Sequence, residues 1–197
     1  MTLLLKLSEL IDSLSARIGK GAFWLILLMT IISAGNAVIR FTFNYSSNGL
    51  LEIQWYLFAA VFLLCSPYTL QKNEHVRIDV LSGKLSPRGL AVIDIIGSLF
   101  FLLPMVVLVL YLSIPLVADS FNINEMSANA GGLIRWPVKM LLPIGFTLLA
   151  LQGISELIKR IAFLQGLISD PNAKDSGPSA EEELAAAIAA AKAKEAK

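Results

Sequence analysis

Four long apolar stretches limit what this chain can fold into. They run from about residue 21 to 39 (GAFWLILLMTIISAGNAVI), 53 to 70, 90 to 117 and 138 to 161. Each offers close to the roughly 20 apolar residues that a helix needs to cross about 30 Å of hydrocarbon. Their charges are few and terminal: Asp94 in the third, and Lys139, Glu156, Lys159 and Arg160 in the fourth. A charge at a helix centre would cost about 3 kcal/mol, and none is placed there. A soluble helical core is the competing architecture. It would need polar faces at helical period, whereas these segments are apolar on nearly every side. The expected fold is an all-α integral membrane protein with four transmembrane helices. The third stretch would extend about 40 Å, so it must tilt or leave its ends in the interface.

The basic residues set the expected orientation. Lys6, Arg17 and Lys20 precede the first stretch, and Lys72, Arg77, Lys84 and Arg88 fill the second connection. Lys159 and Arg160 close the fourth stretch. The first connection carries only Arg40, and the third sets Arg135 against Asp119 and Glu125. Basic residues stay on the cytoplasmic side, which predicts both termini and the second connection inside. The expected location is the bacterial inner membrane. A net charge of +1 gives no pull toward nucleic acid.

The leader, residues 1 to 20, has its own pattern. Leu3, Leu7, Leu10, Ile11, Leu14 and Ile18 recur at helical spacing, with Lys6, Glu9, Asp12, Ser13 and Arg17 mostly opposite. An amphipathic helix lying in the membrane interface fits this, as does docking on a partner helix. Glu9, Asp12 and the lack of a small-residue cleavage site argue against a removed signal peptide. Residues 165 to 197 read as a flexible or frayed-helical cytoplasmic tail. Its SDPNAKDSGPS run is a linker pattern, and its Ala/Glu/Lys run lacks an apolar face to bury.

Chemistry is sparse. His75 is the only histidine and Cys65 the only cysteine. His75 and Asp79 would share a helical face, but two mixed ligands make a poor metal site. A bis-histidine haem, a thiol pair and a Ser/His/Asp set all lack their residues. No cofactor and no enzymatic activity are expected. The span centres fall near Met29, Val61, Leu103 and Leu149, with no charge within six residues of any of them. Coupled transporters keep ionisable groups at that depth. Asn36, Gln54, Thr147 and Gln152 are expected to hydrogen-bond between helices rather than line a path. Pro67, Pro104, Pro115 and Pro143 are read as kinks rather than breaks at ion sites.

At the span ends, Glu52 should lie near the levels of Arg40, Arg135 and Lys139, and Asp94 within reach of Lys159 or Arg160. Trp136 before Pro137 fits an interfacial aromatic followed by a helix-starting proline.

Glu52 and Trp55, the apolar run to Tyr68, then Lys72 and His75-Val76-Arg77-Ile78-Asp79 carry a resemblance. Over about residues 21 to 164 the chain resembles the small membrane subunit of tripartite ATP-independent periplasmic (TRAP) transporters, the DctQ-like family. The resemblance implies two protein partners, a large multi-span membrane subunit and a periplasmic substrate-binding protein. It implies import of an organic acid, commonly on a sodium gradient, with substrate and ion sites in those partners. The chain would then be a non-catalytic membrane scaffold and, ending after four spans, a separate polypeptide. Arg77 and Asp79 would brace the cytoplasmic ends of the spans, Lys72, Lys84 and Arg88 would meet anionic membrane lipids, and His75 would pack at the interface. Glu52, Trp55, Tyr68, Lys72, His75, Arg77, Asp79, Asp94, Arg135 and Trp136 are the candidate structural or partner-interface residues. A stand-alone tetraspan scaffold and an independent small transporter are the alternatives.

Overall fold

The computed structural model describes residues 1–45, 47–73 and 86–170. His75, Arg77, Asp79 and Lys84, and residues 171–197 with the whole Ala/Glu/Lys run, lie outside the described residues. The described part holds four helices long and apolar enough to cross a membrane: α1 (Thr2–Phe43), α2 (Asn48–Lys72), α3 (Pro87–Asn122) and α4 (Trp136–Leu164).

Local sequence explains the ends. α1 contains no proline and stops where Asn44 takes a left-handed conformation, φ 50°. α2 stops the same way at Asn73, φ 61°, whose N–H donates to Leu70 O at 3.1 Å. Asparagine tolerates this conformation better than most residues and so terminates helices. α3 starts at Pro87 under a Ser86 cap, with the Gly89 N–H donating to Ser86 Oγ at 3.2 Å. α4 starts at Trp136 with Pro137 in its first turn.

Three prolines sit inside continuous helix: Pro67 in α2, Pro115 in α3 and Pro143 in α4. Pro104 follows a π-helical turn, Ser98–Leu102, where the Leu103 N–H reaches back to Ser98 O. Proline cannot donate to the helical ladder, and one looser turn just before it accommodates the gap.

α4 is the hub. It packs on α1, α2 and α3, and α1 also packs along α2. Close approach depends on small residues. A Cβ on Gly145 would fall 2.8 Å from Leu63 Cβ, and one on Gly19 2.6 Å from the Tyr68 ring. Glycine at these crossings lets the backbones meet, which is how helices pack where lipid removes the hydrophobic drive.

The leader and the first apolar stretch form one helix with no break at residue 20. At 1.5 Å per residue α1 spans about 63 Å, roughly twice the hydrocarbon thickness. Ser8, Ile11, Ser15, Gly19 and Ala22 are its buried positions in that region, whereas Leu3, Leu7 and Leu10 are exposed. A narrow face of small and polar residues, Ser8, Asp12, Ser15 and Gly19 with Ile11, thus turns inward, while Lys6, Glu9, Ser13 and Arg17 stay exposed along with Leu3, Leu7 and Leu10.

Candidate functional site

Polar side chains collect at the two ends of the bundle. At one end, α2 opens with Glu52, only 2% exposed although charged. Its carboxylate accepts from the Leu133 N–H (2.7 Å), from Asn129 Nδ2 (2.9 Å) and from the Ser127 hydroxyl. All three donors belong to the connection between α3 and α4. That connection folds back on itself: Ser127 N donates to Leu133 O at 3.0 Å, and Arg135 N to Glu125 O at 2.8 Å. Two more α2 groups reach it from below, Asn48 Nδ2 to Ala130 O (2.9 Å) and Tyr56 OH to Ile134 O (3.1 Å). Gly132 is required by proximity, since a Cβ there would lie 2.5 Å from Ser127 Cβ and 2.9 Å from Glu52 Oε1. Arg135 donates to Ser127 Oγ at 3.3 Å, and Lys139 pairs with Glu125. The hydrogen bond from Lys139, with the nearby charges of Lys139 and Arg135, holds the Glu125 carboxyl below its ordinary range.

At the opposite end, Asp12 from the leader sits against α4. Its Oδ1 accepts from Gln152 Nε2 (2.8 Å) and Ser155 Oγ (2.7 Å), and its Oδ2 pairs with Lys159 Nζ at 3.0 Å. Ser15 donates to Gln152 Oε1 at 2.7 Å, and the Ser8 and Ser155 hydroxyls lie 2.7 Å apart. α2 joins through Gln71 Nε2, which donates to the Asp12 carbonyl at 3.1 Å. Glu156 pairs with Lys159 and lies 3.8 Å from Arg160, whose Nε lies 3.3 Å from Asp94 Oδ2 on α3. One network therefore ties all four helices together. It contains three carboxylates, Asp12, Asp94 and Glu156, and two cations, Lys159 and Arg160. Gln152 and Ser155 are fully buried within it.

The candidate residues read from sequence are divided between these ends. Glu52 and Arg135 meet at Ser127, and Trp136 stacks edge-on against Phe121 with ring centroids 5.3 Å apart. Asp94 takes Arg160, one of its two expected partners. Tyr68 packs on Gly19, Lys72 is half-buried at the end of α2, and Trp55 is 64% exposed on the bundle surface. Among the four expected interhelical polar groups, Gln152 bonds between helices. Gln54 and Thr147 instead donate to carbonyls one turn back in their own helices, Leu50 and Pro143. Such local back-bonding competes whenever no neighbour offers a nearer acceptor.

Sequence reasoning alone does not single out Asp12 and its serines as a site. The signal is nonetheless there: Ser8, Asp12, Ser15 and Gly19 recur at helical spacing, matching Gln152, Ser155, Glu156 and Lys159 on α4. Among the described residues no group of three His, Cys, Asp or Glu side chains is placed to hold a metal ion. Carboxylates neutralised by cations and amides in this way join helices.

Fold and ends together define a multi-pass helical membrane protein whose buried polar groups serve packing. The family model for the DctQ component of tripartite ATP-independent periplasmic transporters matches residues 29–163, and the chain belongs to that family. A curated Haemophilus influenzae protein, provisionally named as a TRAP transporter small permease, is 34% identical over 76 residues. The match covers 39% of this chain and 47% of that protein, so the chain aligns with about half of its length. No solved structure matches the chain. Family membership makes the protein a component of a TRAP transport system.

Proposed function

We propose that this chain is the small, non-catalytic membrane subunit of a TRAP transporter importing an organic acid. It acts as a scaffold beside a large membrane subunit that carries the translocation path, and a periplasmic binding protein delivers the substrate. The carrying observation is the placement of the charged groups: the ion pairs lie toward the bundle ends, with the uncharged Gln152 alone reaching near the middle of α4, and these contacts lock α1, α2, α3 and α4 to one another. Helices braced in this way suit a static support. In this reading both termini face the cytoplasm of the inner membrane, and the Glu52 loop faces the periplasm, where the binding protein docks. Arg77 and Asp79 brace the spans, Lys72 meets lipid headgroups and His75 packs at the interface.

The test is reconstitution. Vesicles holding this chain and the large subunit, supplied with the binding protein, are expected to accumulate the organic acid on an imposed sodium gradient. Omission of this chain should abolish uptake. Accumulation by this chain alone would make it an independent transporter, and full uptake without it would leave it a scaffold unrelated to transport.

A further inference from the structure

Toward the Glu52 end, α1 and α2 part to leave two adjoining crevices of about 640 and 340 Å³ that share Ser33 and Gln54. Asn36 lies at the back of the larger one. It is 7% exposed, and its Oδ1 has no hydrogen-bond partner among the described residues. Hydrocarbon cannot supply that partner. Arg40, one helical turn on and on the same face, lines the same crevice, and no carboxylate pairs with it among the described residues.

The wall between them is unusual for a surface turned to lipid. On the α1 side Ser33 and Ala37 are small and exposed, set between the bulkier Phe41, Trp55 and Phe58 that rim the crevices. The outward face of α3 shows the contrast, with Phe101, Val107, Leu108 and Leu112 all exposed and bulky. Small residues on a membrane helix allow another backbone to come close, and polar side chains then bond across the contact. A lipid fits less well. Its ester oxygens only accept, and they would leave Oδ1 without a donor.

We propose that a transmembrane helix of the large membrane subunit seats in this α1–α2 groove. That helix presents a hydroxyl, amide or indole N–H to Asn36 and an acceptor or carboxylate one turn away to Arg40. The inference rests on the proposed role as a TRAP small subunit and names the face on which that role is exercised.

The experiment uses the full chain co-expressed with its large subunit. Co-purification of the unaltered chain is read first; its failure removes the subunit role itself, and this docking site with it. With co-purification established, a benzophenone amino acid placed at the exposed Ser33 position should cross-link to the large subunit, and the same probe at Leu108 should not. Ala37→Trp should cut recovery of the large subunit by about tenfold or more, with Val107→Trp leaving it unchanged. An adduct at position 33 to lipid or to a second copy of this chain overturns the site, and so does full recovery with Ala37→Trp.

Discussion

The two ends of the bundle solve the same problem in different ways. At the Glu52 end, one buried carboxylate gathers the N–H and O–H donors of a single connection, so a loop is fastened to α2. At the Asp12 end, charged and amide side chains from segments up to 147 residues apart neutralise one another, so helices are fastened to helices. The first arrangement is local and satisfies backbone. The second is collective, and each member leaves a charged neighbour stranded if removed. Loss at the Asp12 end should therefore spread through the bundle, and loss at the Glu52 end should stay in the loop.

The largest expected effect comes from Arg160→Ala. Arg160 is 5% exposed, and its removal leaves Asp94 and Glu156 facing each other across the α3–α4 contact. Breaking one side of a buried pair costs about 3 kcal/mol, and thermal unfolding in detergent should show a lowered midpoint for the whole bundle. Glu52→Ala should cost about 2 kcal/mol by stranding the Leu133 N–H and its companions. Hydrogen exchange should speed up over residues 126–134 and leave α4 protected. Exchange that rises equally along α4 would erase the distinction between the ends. Gly132→Ala forces a methyl group into Ser127 and Glu52 and should cost about 1 kcal/mol, again confined to that loop.

The smallest effect concerns acidity. Glu125 titrates lower in the folded chain than in the unfolded one. Its pairing with Lys139 thus contributes at neutral pH and is lost as pH falls through that lowered value. Glu125→Gln should be slightly less stable at neutral pH and equal to the unaltered chain in strong acid. A gap between the two that persists in acid would mean that Glu125 acts by packing.

Much of this architecture is legible in the amino-acid sequence. The four spans follow from apolar length alone, and charges left at the same membrane edge point Asp94 to Lys159 or Arg160, of which the fold uses Arg160. The helix start at Trp136 and Pro137 is equally plain. What periodicity does not reveal is which face of the leader is covered. In water a leucine stripe is the face to hide. Beside lipid the leucines need no cover and the Ser8, Asp12, Ser15 face does, so a narrow face between the leucine stripe and the exposed Lys6, Glu9 and Arg17 is the one that packs. Membrane level alone does not identify the partners of Lys139 and Glu52, because the strongest of them sit in a loop whose back-folding no periodicity predicts.

The π-helical turn in α3 carries a consequence of its own. One extra residue in that turn sets back the azimuth of everything after it by about 100° relative to an unbroken α-helix. Ala91 and Asp94 before the turn, and Val106, Ser113 and Ser120 after it, are inward-facing only because of that offset. A straight helical wheel drawn through Asp94 would bring Met105 and Leu112 inward, and both are exposed. Removing a single residue from Ser98–Leu102 would therefore force α3 to keep one half in phase with α4 and swing the other half out of it.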